Sequence, residues 1–206
     1  MTQIYAQLPS DVAEILSTTA GIVLGDFDPN GNLDAEAIRK NILFATDGGV
    51  NTTCVYTYSD FAEGLDNAPT NTKQLLRVES VACGMSGTAK TITKDVATRF
   101  LGHADAVGLD VVEITPRKKI EMADFKTYWH VCPYGTQGGF VAVKLADALN
   151  TGGFNWQSEN NGKGSFPFSF AGYSNLENPD EIPFKFYLKT SATAPTQNVE
   201  PTQQTA

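Results

Sequence analysis

The stretch "DFDPNGNLDAEA", residues 26–37, places Asp26, Asp28, Asn30 and Gly31 at the spacing that opens a calcium loop of the EF-hand type. Calcium needs a ring of oxygen ligands, and a tight glycine turn lets alternate side chains converge on the ion. The twelfth position of such a loop must supply a bidentate Glu, but Ala37 stands there and Glu36 falls one place early. The segment before it reads as a strand rather than an entering helix. The sequence therefore predicts an Asp/Asn/Gly turn, with Asp34 capping a short helix through Lys40, and no calcium requirement. A second candidate is "GKGSFPFSFAGYSN", residues 162–175. A phosphate loop needs Gly, four residues, then Gly-Lys-Ser/Thr. Gln157 occupies the first position and Gly164 the last, so neither the turn nor the magnesium-binding hydroxyl is present.

The remaining reactive residues form no constellation. His103 and His130 are the only histidines. His130 and Cys132 would share a strand face, but no nucleophile motif surrounds Cys132 and no third group is evident to orient a base. His103 with Asp105 reads as a loop pair. Asp110 and Glu113 are too ordinary a carboxylate pair to indicate a glycosidase. Arg117-Lys118-Lys119 reads as a solvated turn. Cys54, Cys83 and Cys132 are odd in number and form no C-x-x-C pair, which argues against a zinc site or a disulfide framework. They read as buried free thiols of a protein folded in a reducing cytoplasm. Catalytic, cofactor-binding and metal residues are accordingly expected to be none, and the chain is expected not to be an enzyme.

Elements must then carry the function. A chain of 206 residues can form one domain with a substantial core. The sequence contains neither a long apolar run nor a secretion signal, so neither a membrane span nor a membrane partner is expected. Net charge is −8, which disfavours a protein that grips DNA or anionic lipid. Phe166, Phe168 and Phe170 alternate with Pro167, Ser169 and Ala171, the pattern of a strand with one buried face. Phe184, Phe186 and Leu188 repeat it against Lys185, Tyr187 and Lys189, after the turn at Asn178-Pro179-Asp180.

Further strands are predicted over 20–27, 42–45, 53–58, 75–82, 111–115, 126–131 and 140–145. Asp47-Gly48-Gly49 should split the second from the third. Thr93 to Leu101 is the best helix: Thr93 can cap it, Val96 and Phe100 share a face, and Gly102 can close it. The fold class is mainly β: two packed antiparallel sheets with one flanking α-helix. Residues 1–17 read as an N-terminal arm with a possible helical turn from Ser10 to Leu16. The β-sandwich domain spans 18–189, and 190–206 is a flexible C-terminal tail. The fourteen-residue polar connection Ser59–Thr72 is long enough to suggest a functional loop.

Several segments in this order resemble the major tail proteins (tail tube proteins) of long-tailed, non-contractile bacteriophages and prophages. They are "AGIVLGDFDP" (20–29), "ATDGGV" (45–50), "GLDNAPTNTKQL" (64–75), "TITKDVATRFLG" (91–102), "ITPR" (114–117), "ADFKTYWHV" (123–131) and the run from Ala148 to Leu188. The resemblance covers about residues 13 to 189. It implies a structural virion protein, assembled in the host bacterial cytoplasm. Six copies would form a ring, and rings would stack into a hollow tube with strands paired edge to edge around the lumen. Implied partners are further copies of itself, the tape measure protein and phage DNA in the lumen without tight binding, and terminator and distal tail proteins at the ends.

The acidic charge suits such a conduit, because it would repel phosphates in transit. A tail terminator or completion ring, or a tube-like protein of a related injection device, is the alternative. A carbohydrate-binding β-sandwich is a third reading, with calcium at Asp26 to Asp34 and Trp129 and Trp156 stacking on sugars. Both tryptophans are expected in the core instead.

Overall fold

A computed structural model of the chain describes residues 21–31, 35–67, 69, 72–134, 139–160, 162 and 164–189. The expected N-terminal arm, its helical turn, Asp34 and the C-terminal tail lie outside the described residues. In chain order the elements are β1 (Ile22–Leu24), α1 (Ala35–Asn41), β2 (Ile42–Phe44), β3 (Thr46–Asp60) and β4 (Leu76–Ala89). Then come α2 (Lys94–Leu101), β5 (Ala104–Val107), β6 (Glu113–Pro116), a 3-10 turn (Met122–Asp124), β7 (Lys126–Tyr134), β8 (Gly139–Asn150), β9 (Phe166–Gly172) and β10 (Phe184–Lys189).

The chain is mainly β, as its alternation predicts. Eight strands form one antiparallel sheet in the order β2-β1-β7-β8-β9-β4-β3, with β10 paired to β8. β5 and β6 form a separate two-stranded sheet. The two layers expected from the sequence are two halves of one continuous sheet that rolls over on itself. Connectivity requires this, because β2 and β3 end the strand path yet only Ala45 separates them. Flat, the strands between them would hold them about 29 Å apart at roughly 4.8 Å per step. β8 makes the other corner. Its first half pairs with β10, from Phe140↔Lys189 to Leu145↔Phe184, and its end pairs with β9, from Ala148↔Gly172 to Asn150↔Phe170. Asp147 between them has φ 45°, a left-handed kink that Asp tolerates better than most residues.

The core lies inside the roll. Phe44 on β2 meets Phe168 on β9 with ring centroids 5.0 Å apart, and Tyr128 on β7 stacks on Phe170 at 3.9 Å. All three phenylalanines of β9 point inward, as their spacing predicts. Pairing sets Phe168 against Gly87, where an added Cβ would come within 3.0 Å of the Phe168 ring, so glycine makes room for the aromatic.

Helix α2 closes one end. Thr93 accepts a hydrogen bond from the Val96 N–H, Gly102 ends the helix at φ 79°, and Val96 and Phe100 are buried. Asn150 ties this helix to the sheet. Its side-chain NH2 donates to the carbonyls of Phe100 and Gly153, and its Oδ1 accepts from the N–H groups of Gly152 and Ser169. A second helix, α1, stands where the sequence predicts a short helix through Lys40, and runs to Asn41. Its Ile38 packs with Phe27 over Leu24, Trp129, Val131 and Phe140, a second apolar cluster on the opposite face of β1-β7-β8.

Several boundaries differ from the sequence reading. Gly48-Gly49 does not break the chain into two strands. It forms a bulge inside β3, where Asp47 pairs with Thr88 and Val50 with Gly87. Both glycines have positive φ, 74° and 82°, which lets the pairing resume beyond the extra residues. β3 therefore runs on into Asp60, and β4 extends to Ala89, well past the expected end at Ala82. β5 is not visible in the sequence because its four residues, Ala104-Asp-Ala-Val107, are too short to show a period.

Candidate functional site

The residues that suggested chemistry are dispersed. Asp28 accepts the Asn30 N–H through Oδ1 at 2.9 Å, an Asx turn that uses the carboxylate to close its own loop. Among the described residues, no three of His, Cys, Asp or Glu gather as a metal site. Gly162 stands beside a small loop pinned by the Gln157↔Ser165 bridge.

His130 Nε2 lies 3.4 Å from Cys132 Sγ on β7. Burial holds His130 below its ordinary value and pushes the Cys132 thiol up. Both shifts favour the neutral pair, the reverse of what a thiolate–imidazolium dyad needs. Asp105 does not pair with His103. It binds Arg117, which also binds Glu121 and Asp124, at 3.0, 3.0 and 2.6 Å. Arg117 is thus the hub of a three-carboxylate cluster joining β5, β6 and the 3-10 turn, rather than part of a solvated turn. Trp129 is buried, but Trp156 is 63% exposed and stacks on Phe166, which corrects the expectation that both are core residues.

The surface that stands out is built by β3 and β4. The two strands pair from Thr46↔Ala89 to Asp60↔Leu76, whereas β9 supports β4 only from Ala89 to Cys83. Beyond Cys83 the sheet narrows to a two-stranded ribbon. Side-chain alternation carries the core face out along it. Met85 and Cys83 are buried, and Cys54 and Val81 pack against the core edge. Tyr56, Tyr58, Val78 and Leu76 follow on the same face and are exposed.

A bulge at Glu79 keeps this face apolar. Thr57 pairs with Ser80 but Tyr58 pairs with Val78, so Val81 and Val78, three residues apart, both lie beside the tyrosines. Tyr56 and Tyr58 stack at 6.2 Å. At the tip, the Arg77 guanidinium lies 4.3 Å over the exposed Phe61 ring. The sequence predicts one long polar loop over Ser59–Thr72. Ser59 and Asp60 instead belong to β3, and the apolar face lies on the strands leading to the loop.

Two further properties concern the same strands. Among the described residues, β3 pairs on one side only. Its fifteen residues, TDGGVNTTCVYTYSD, contain no Lys, Arg or Pro to discourage another strand from adding. The opposite face of β3-β4-β9 carries mostly small neutral residues in register, Asn51-Ser86-Ser169, Thr53-Gly84-Ala171 and Thr57-Ser80, with Val55 opposite Ala82 and one charge of each sign toward the ends, Asp47 beside Thr88 and Arg77 beside Ser59. The second edge, β10, does not match its expected pattern. Phe184 is half-buried, but Phe186 and Leu188 are exposed, while Tyr187 packs on Trp129 from the supposedly polar side. Lys185 pairs with Glu181 of its own chain at 2.7 Å.

No family model matches the chain, and no relative is found among curated proteins. Among solved structures, it is similar to a chain of "Virion of native gene transfer agent (GTA) particle", at 11% identity and a TM-score of 0.41. That match covers 88% of this chain and 99% of the other. At this level the likeness fixes neither a shared fold nor a function.

Proposed function

We propose that the chain is a structural virion protein, the subunit of a phage-type tail tube, and that it acts by assembly rather than catalysis. The observation that carries this reading is the long β3–β4 ribbon, with an apolar face continuous with the core and an edge that, from Val50 to Ser59, is paired with no other described strand and carries no charge or proline. Isolated two-stranded ribbons are marginal in water, and an unprotected edge invites strand addition. Both conditions are relieved if neighbouring subunits cover the ribbon face and pair with the β3 edge. A closed ring leaves no edge, and apolar faces buried between subunits hold it together. Of the segments that resemble major tail proteins, one opens β3 (45–50) and one lies in the connection between the two strands of the ribbon (64–75).

The mostly neutral face of β3-β4-β9 would then line the lumen. Small hydroxyl, amide and methyl groups dominate it, its one strand cation, Arg77, lies over the Phe61 ring at the tip, and the chain's charge of −8 adds a general repulsion of phosphate. DNA and a tape measure protein would pass along this wall without tight binding.

The test is negative-stain microscopy of the purified protein over a range of concentrations. Hollow tubes of stacked rings support the reading. Single closed rings that never stack would favour a terminator or completion ring, and a persistent monomer would contradict assembly altogether.

A further inference from the structure

Cys54 on β3 and Cys83 on β4 are direct cross-strand partners, and their sulfurs lie 3.6 Å apart. Directly opposed residues of an antiparallel pair have Cα atoms about 4.5–5.5 Å apart, within the roughly 4.4–6.8 Å that a disulfide spans. Both thiols are free, and both point to the core side of the ribbon. Their rung is also the last one backed by a third strand, because Cys83 pairs with Gly172 at the end of β9. We infer that Cys54 and Cys83 form an oxidisable pair, which a low-molecular-weight disulfide of the glutathione class converts into a cross-strand disulfide at the base of the projecting ribbon.

The order of events follows from access. Cys83 is 4% exposed, and its thiol is pushed up to about 12, first by burial and then by hydrogen bonding to Cys54. Cys54 is half-buried and is the more accessible thiol of the two. The Cys54 thiolate attacks oxidised glutathione, forming a mixed disulfide and releasing one glutathione thiolate. The Cys83 sulfur then attacks Cys54 Sγ, passes its proton to solvent, and releases the second glutathione. The protein loses two protons and two electrons, and the glutathione disulfide is reduced to two thiols. The sulfurs need to close by about 1.5 Å to reach the bonded distance of roughly 2.05 Å, a movement that side-chain rotation can supply within a fixed rung.

The bond would close the segment containing the outer ribbon and its turn, the part of the sheet that lacks a third strand. It would form where oxidants prevail and stay open in a reducing cytoplasm, so the ribbon could be stapled after synthesis. The inference does not depend on the tail-tube reading, because it concerns the unassembled subunit.

The test incubates the full-length, dilute protein with oxidised glutathione at about pH 8.5, where free thiols ionise. Remaining thiols are then alkylated in denaturant, and peptides are mapped without reduction. The expected result is a linked peptide pair containing Cys54 and Cys83, with Cys132 alkylated. A rise of several degrees in melting temperature, reversed by dithiothreitol, should accompany it. Cys54→Ser should abolish the link, and Cys83→Ser should stop at a glutathione adduct on Cys54. If Cys83→Ser fails to fold, the map of the unmutated chain decides alone. Alkylation of both Cys54 and Cys83, a persistent glutathione adduct on Cys54 in the unmutated chain, or a link to Cys132 would overturn the inference.

Discussion

Phe168 sits among Phe44, Phe100 and Phe170, with ring centroids 5.0, 5.9 and 5.1 Å away. These partners come from β2, α2 and β9, so one ring couples both halves of the roll to the helix that closes it. Phe168→Ala should cost about 3–5 kcal/mol, because the surrounding backbone is tied in several directions and cannot collapse into the space. Denaturant titration of the purified variant measures the loss, and unchanged stability would move this residue out of the core.

His130 makes a second residue-level prediction. Burial lowers its pKa from the ordinary 6.5, so the unfolded chain binds the proton more readily than the folded one. That contribution to stability is present above 6.5 and is lost as pH falls below it. His130→Gln should therefore flatten part of the decline in melting temperature between neutral pH and mild acid. Equal slopes for the two proteins would show that His130 titrates normally in the fold. The β9 phenylalanines were legible in the sequence because period two is visible over only three repeats. The roles of Asn150 and Arg117 were not, since their partners lie far away in sequence or in elements too short to recognise.

At the scale of elements, the β3–β4 ribbon is where the proposed assembly would act. The sequence shows its apolar residues, but not that they outrun their cover. Tyr56, Tyr58 and Val78 look like any strand face until the register shows where β9 stops, and only pairing reveals that. The Gly48-Gly49 pair misled for a related reason. Two glycines read as a break, yet with a long partner strand available they are accommodated as a bulge. Helix α2, by contrast, was legible to the residue, because its cap, its buried pair and its terminal glycine are all local signals.

Replacing the exposed apolar face by Tyr56→Ser, Tyr58→Ser and Val78→Ser together should leave the subunit folded, since these side chains bury little within it. The concentration needed to form rings or tubes should rise at least tenfold. Light scattering and circular dichroism on the same samples separate the two effects. A variant that assembles normally would show that the ribbon face is not an interface.

At the scale of the whole molecule, we propose that copies of this chain close into a ring and stack around a lumen lined by the mostly neutral face of β3-β4-β9. The charge distribution fits an inert wall. Lys185 and Lys144 are engaged within the subunit, with Glu181 and the Trp129 ring respectively, and the one cation on the three strands of that face, Arg77, lies over the Phe61 ring. The most direct measurement is a cryo-electron-microscopy reconstruction of the protein in its assembled form. The account predicts stacked six-membered rings with β3 of each subunit hydrogen-bonded to a neighbour, the Tyr56–Tyr58 face buried between subunits, and a lumen that is neutral to negative along its axis. A reconstruction with the β3 edge open to solvent, or with a predominantly positive lumen, would contradict it.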